Sequence, residues 1–395
     1  MSARETEQTG LLLHPLTFVA EPQGVMVGRA ATGSYAVFPE AGAEAVRRLM
    51  NGASVAEVAN WYKNAFGSSL DMKDLHETLA DLGFLRQPGD REPEPVRWQR
   101  LGRWAFSAPA WICYVAVTLV AVAMMIMEPT LRPSYRRLFF TSHLTLISVG
   151  LTLGQFPCVA VHEFSHALAG RRLGLPSRFS LGRRLYYLVA ETQLTSLYSV
   201  SPRQRYLPFL AGMLADVVMV SSLTVLAGLL NVSGAPGWLG AFAAALAFTG
   251  VLRLLWQFLF YLETDLYFVI STAVGSSDLQ NAARYTIRRR WDRLVGATAD
   301  LDADNWTSYD LRVARCYAPL LVLGYGFSIG MLLWVGLPSI WRFLTILWHR
   351  FDGTQPLTVG VFVDSALFVL LSGGQLVLLI YFTLRDWRAR QRTAN

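Results

Sequence analysis

The sequence predicts a mainly α protein, a polytopic membrane helix bundle of about six spans that follows a small α+β domain. Three observations predict it. Of 395 residues, 53% are hydrophobic and the mean hydropathy is +0.34, too apolar for a soluble fold and too long for one domain. Stretches at 107–128, 141–169, 206–230, 239–262, 317–337 and 358–384 each reach the roughly 20 apolar residues that a bilayer crossing needs. Residues 1–95, by contrast, are soluble in character, with short runs at strand and helix periods.

In chain order, Gly24-Val-Met-Val-Gly-Arg29 and Ser34-Tyr-Ala-Val-Phe-Pro39 read as two short strands joined through the turn-prone Ala-Thr-Gly33. Three short helices follow. Glu40 to Met50 carries Ala45, Val46 and Leu49 at helical spacing, Ser54-Val-Ala-Glu57 is a capping box opening a helix to about Ala65, and Asp71-Met-Lys-Asp-Leu75 opens a third that ends near Leu82-Gly83. This pattern, with Asn51-Gly-Ala-Ser-Val-Ala-Glu-Val58 and the closing Leu79-Ala-Asp-Leu-Gly-Phe-Leu85, resembles the PqqD-like family of small winged-helix domains over about Leu13 to Arg86. The resemblance implies a winged-helix fold for 1–95 and recognition of the leader of a ribosomally made, post-translationally modified peptide. The leader would add to the sheet as a further strand. A DNA-binding winged helix and a purely structural cap are the competing readings. Residues 96–106 read as a linker and 107–395 as the membrane domain.

Arginines set the orientation of the spans. Arg171, Arg172, Arg178, Arg183, Arg184, Arg203 and Arg205 fall on one side, as do the loop from Arg284 to Arg315 and the tail from Arg385 to Arg392. The other side holds Arg132, Arg136 and Arg137, the uncharged Asn231 to Gly237, then Arg342 and Arg350. By the positive-inside rule both termini are cytoplasmic. The net charge of +7 and pI near 9.4 follow from this clustering beside apolar stretches, and no nucleic-acid partner is expected; the partner is the lipid bilayer. Cys113, Cys158 and Cys316 are an odd, scattered set that predicts neither a disulfide framework nor a thiolate metal site. The polar N-terminus has no cleavable signal peptide pattern.

Within the second span, Phe156-Pro-Cys-Val-Ala-Val-His-Glu-Phe-Ser-His166 carries a His-Glu-x-x-His signature. On a helix, His162 and His166 lie one turn apart and offer two imidazoles to one zinc ion, with Glu163 beside them as general base. Ionisable groups inside a span are costly and by default functional candidates. A third ligand must come from elsewhere. Asp265, in Phe260-Tyr-Leu-Glu-Thr-Asp265, is the candidate because the fourth span ends on the same side; Glu263 is its rival.

Together these residues resemble the site-2-protease-like intramembrane metalloproteases, in which an aspartate on a later span completes the site within an Asn-x-x-Pro-x-x-x-x-Asp-Gly pattern. Here Gln257 stands at the asparagine position, Phe260 at the proline, and Leu266 where glycine is usual. The family's Gly-Pro-x-x-Asn element corresponds to Gly212-Met-Leu-Ala-Asp216. By resemblance Gln257 becomes a candidate amide donor and Asp216 a residue that orients a ligand or substrate, and ordinary interhelical packing accounts for either equally well.

Between the second and third spans, Ser177 to Val200 is too polar to cross, and its Leu185 to Tyr198 run reads as strand, a hairpin able to hold extended substrate by edge pairing. The combined expectation is an intramembrane zinc endopeptidase in a bacterial cytoplasmic membrane, open to the cytoplasm. It would remove the leader from a hydrophobic precursor peptide, and daptide-type maturation systems are the closest resemblance. One alternative is a regulatory protease cutting a membrane-anchored signal or anti-sigma protein. The other is a non-catalytic export or immunity component.

Overall fold

The structure, a computed structural model, describes residues 11–86, 90, 95–141, 144–184, 187–276, 278–296, 306–337, 341, 344, 345, 348 and 358–393. Of the residues singled out from the sequence, Leu185, Arg342 and Arg350 lie outside the described residues.

Near the N-terminus, strands Thr17–Glu21 (β1), Gly24–Arg29 (β2) and Ser34–Phe38 (β3) form an antiparallel sheet of order β1-β2-β3. β1 is an addition to the two expected strands. Its Thr17-Phe-Val-Ala20 run lacks polar alternation, and only the tight return through Pro22-Gln23, which pairs Glu21 with Gly24, makes it a strand. Gly24 turns with φ +145, a conformation that favours glycine. The three expected helices follow as Glu40–Met50 (α1), Val55–Phe66 (α2) and Met72–Asp81 (α3). Ser54 and Glu57 close the capping box of α2 in both directions, and Asp71 caps α3 through the Lys73 and Asp74 amides. Val27, Val46, Leu49, Val58, Leu79 and Phe84 form the core between sheet and helices.

Residues 96–106, expected as a linker, contain the helix Gln99–Ala105 (α4), whose Leu101 and Ala105 pack with Phe106 against Leu168 and Ala169. The membrane part continues through Ala108–Met127 (α5), Leu144–Arg172 (α6), a hairpin of Arg178–Arg184 (β4) and Tyr187–Gln193 (β5), Pro202–Val232 (α7), Gly237–Trp256 (α8), Asp265–Val274 (α9), Leu279–Val295 (α10), Ser308–Met331 (α11) and Val359–Thr393 (α12). Among the described residues five helices, α5, α6, α7, α8 and α11, are long and apolar enough to cross a membrane. The chain is thus a multi-pass membrane protein. The sixth expected span, 358–384, coincides with α12 and is not among those five. Leu119, Ile126, Leu229, Leu255 and Leu323 stay exposed on the bundle, the surface a helix offers to lipid rather than water.

Two expectations shift in detail. The fourth span, expected to run to 262, ends at Trp256; the chain then makes the single 3-10 turn Phe260–Leu262, and Glu263 sits at φ +58 before α9 starts at Asp265. The strand expected over 185–198 stops at Gln193, after which Thr195–Ser199 winds into a 3-10 turn that buries Ser196, Leu197 and Ser199 beneath the N-terminal sheet.

The N-terminal sheet is fastened to the bundle. Glu21 pairs with Arg205 at 2.6 Å, both side chains being almost wholly buried. Gln23 donates to the Gly275 carbonyl at 2.7 Å and to Asp310 at 2.8 Å. The Tyr35 and Tyr198 rings pack against each other, tilted by 38° with centroids 4.5 Å apart.

Candidate metal centre

α6 is 29 residues long, and His162 lies ten residues before its end, about 15 Å along the axis at 1.5 Å per residue. One turn separates His162 from His166, so both imidazoles leave the same face toward α7. Gly212 of α7 is where that face meets backbone: a Cβ there would collide with the Nε2 atoms of both histidines. Only glycine admits the rings.

Asp265, the first residue of α9, meets both rings. Its Oδ2 lies 3.3 Å from His162 Nε2 and 3.2 Å from His166 Nε2, and the two Nε2 atoms are 3.2 Å apart. This near-equilateral triangle is the face of a tetrahedron whose bonds are about 2.0 Å, the zinc–nitrogen and zinc–oxygen length, since such a tetrahedron has edges of about 3.3 Å. Asp265 Oδ2 is buried and accepts no hydrogen bond, which is costly for a carboxylate oxygen and is resolved by a cation. Two imidazole nitrogens and one carboxylate oxygen are a donor set that zinc accepts with one position left open. The residues therefore fit a zinc ion, and this triad is the one metal-capable group found among the described residues.

Each ligand is held from behind. His162 Nδ1 is 2.9 Å from Asp216 Oδ2 and His166 Nδ1 is 2.8 Å from the Pro208 carbonyl oxygen, so each ring gives its Nδ1 proton to an acceptor and turns Nε2 toward the centre. Asp265 opens α9 because Gln257 reaches across the break: the Asp265 amide donates to Gln257 Oε1 at 3.0 Å, and the Thr264 hydroxyl donates to the Gln257 carbonyl at 2.7 Å. Gln257 thus positions the ligand-bearing turn. Glu263 points elsewhere, toward Arg284 at 3.4 Å, and is not in the triad. Asp216 is wholly buried and pairs with Arg253 as well as His162.

Glu163 is half-buried and faces the hairpin. The Thr192 hydroxyl of β5 lies 2.7 Å from Glu163 Oε2 and 2.9 Å from the Glu163 carbonyl oxygen, donating to them. Both residues border a cavity of about 2540 Å³ whose walls also include His162, His166, Asp265, Tyr198 and, from β3, Tyr35, Ala36 and Val37. Burial pushes the Tyr35 and Tyr198 phenols above their ordinary pKa, so both face the cavity as neutral hydroxyls.

Searches of protein-family models, curated proteins and solved structures return no match. The site stands on its own geometry. The sequence reading singled out His162, Glu163, His166, Asp216, Gln257, Glu263 and Asp265; six of them border the centre or contact the triad, Glu263 turns away to Arg284, and Arg253 and Thr192 were missed. Arg253 had a signal, being the lone charge in an otherwise uncharged apolar helix. Thr192 had none, since its role comes from the packing of β5 on α6.

Proposed function

We propose that the chain is an intramembrane zinc endopeptidase. The observation that carries this reading is the triangle of His162 Nε2, His166 Nε2 and Asp265 Oδ2, with Glu163 one residue along the same helix and a wide cavity in front. It agrees with the resemblance to site-2-protease-like metalloproteases. His162, His166 and Asp265 would hold the ion, which when bound supplies an acidic water and an electrophile for the scissile carbonyl. Glu163 takes the proton of the attacking water and passes it to the departing amine, and Thr192 fixes the carboxylate oxygen that does so. Gln257, its Oε1 occupied by the Asp265 amide, holds the ligand turn and is not assigned transition-state contact.

The substrate is an extended polypeptide, because a helix hides its peptide bonds in its own hydrogen bonds. Two strand edges serve it. β5 pairs only with β4, and β3 only with β2, among the described residues, and both strands line the cavity. An extended chain can add to either edge. A hydrophobic ribosomal precursor peptide, its leader held by a PqqD-like winged-helix domain over residues 1–95, is the substrate class this arrangement favours. With α12 counted as a sixth crossing, the arginine distribution supports both termini on the cytoplasmic side of a bacterial cytoplasmic membrane and a site within reach of that side.

The test is mass spectrometry of candidate precursor peptides in cells carrying wild type or Glu163→Ala. A peptide shortened only with wild type is expected, with bound zinc equal in the two proteins. Identical peptides with unchanged zinc would turn the reading toward a membrane-anchored signal protein as substrate if such a protein is cut, and against proteolysis if none is.

A further inference from the structure

We infer that Arg253 is a positioning residue of the metal centre, acting through Asp216 on His162; this rests on the zinc reading above. Arg253 is the single ionisable side chain of α8, in the last turn of that membrane-spanning helix and mostly buried against Asp216, where a charge needs a partner. Its Nε and Nη2 lie 2.8 and 2.7 Å from Asp216 Oδ1, and its Nη1 donates to Gln155 Oε1 at 2.7 Å. Gln155 in turn donates to Thr249, one turn before Arg253 on α8. The guanidinium therefore ties α8 to α7 through Asp216 and to α6 through Gln155, two turns before His162 on the same helix.

The consequence lies at Asp216. Its side chain is fully buried, and a carboxylate there is tolerated only when paired. Arg253 occupies Oδ1 and leaves Oδ2 to accept from His162 Nδ1 at 2.9 Å. The carboxylate can neither rotate nor seek another partner, so the His162 ring is held with its Nε2 toward His166 and Asp265. Outer partners of metal-binding histidines typically govern 10–100-fold in metal affinity. Asp216 is such a partner by direct contact, and Arg253 is the group that aims it. Lysine would keep the charge and lose the fork that spans Asp216 and Gln155.

The experiment uses the full chain in detergent, with zinc affinity from competition against a chelator and the visible spectrum of the cobalt-substituted protein. Arg253→Gln is expected to weaken zinc about 10–100-fold and change the cobalt spectrum, with Arg253→Lys recovering part of the loss. Asp216→Asn should weaken zinc to a similar degree, and adding Arg253→Gln to it should cost little more, because the two act in series. Zinc affinity and cobalt spectrum equal to wild type in Arg253→Gln would overturn the inference, as would a double variant whose loss is the full product of the single losses. If Arg253→Gln does not fold, Gln155→Ala is measured instead, where a weaker zinc site with wild-type melting supports the inference and an unchanged one rejects it. A wild-type chain that binds neither zinc nor cobalt would reject the metal reading itself, whereas an insensitive Arg253 beside a zinc-binding wild type rejects only the inference.

Discussion

At the residue scale the centre depends on atoms that are absent as much as on those present. Gly212 lets α7 pass against the two imidazoles, and any Cβ there must displace them. Gly212→Ala is therefore expected to lower zinc affinity by at least tenfold while the chain still inserts and elutes as wild type, because alanine is the better helix former everywhere except at this contact. Chelator competition on the purified variant checks it, and wild-type affinity would mean that the helices separate freely. The same contact marks how far the sequence could be read. His162, Glu163 and His166 are legible because helical geometry fixes their relation locally. Asp265 is legible once the spans are counted, because its depth follows from topology. Arg253 and Thr192 are not, since each acquires its role from a neighbour 37 or 29 positions away in the chain.

At the element scale, hydropathy located the spans well because burial in lipid demands long apolar helices whatever the tertiary packing. What it could not give was how helices end. α8 stops at Trp256 because Gln257 turns its carbonyl and its side chain to Thr264 and Asp265, a closure visible only when the two segments meet. The hairpin is the other element whose function arises from contact. β5 brings Thr192 to Glu163, so the proposed general base is oriented by a strand and not by its own helix. Thr192→Val keeps shape and branching while removing the hydroxyl. The expected result is a kcat lowered roughly tenfold, less than the 10²–10⁴-fold an acid–base group contributes because the group is misaimed and not removed. KM and bound zinc should be little changed, because neither substrate contacts nor metal ligands are touched. Steady-state kinetics on the processed peptide decides it, and a variant with wild-type kcat would leave Glu163 oriented by other means.

At the scale of the whole molecule, the N-terminal domain is a wall of the cavity in front of the His162–His166–Asp265 triad and not a module on a tether. The Glu21–Arg205 pair and the Gln23 bonds hold the sheet against the bundle, and a buried pair of this kind resists separation because parting it leaves two uncompensated charges. The geometry then bounds the distance between recognition and cleavage. Glu163 touches Thr192; Thr195 is three residues further on; and Thr195 lies against Gly33, the residue before β3. Three residues of chain span at most about 10 Å. With the side-chain contacts at either end, the start of β3 lies within roughly 20 Å of Glu163, a length that about six residues of extended substrate cover at 3.3 Å each. About six intervening residues therefore suffice for a segment bound at the β3 edge to present its scissile bond to the centre, and each longer tether only lowers the chance that it does. Inserting ten Gly-Ser residues between the recognised segment and the cleavage site of a processed peptide should lower its processing about fourfold, as effective concentration falls with roughly the −3/2 power of tether length, whereas the same insertion upstream of the recognised segment should have little effect. Equal rates for the two insertions would show that the leader is read at a distance and that the shared cavity does not couple the two events.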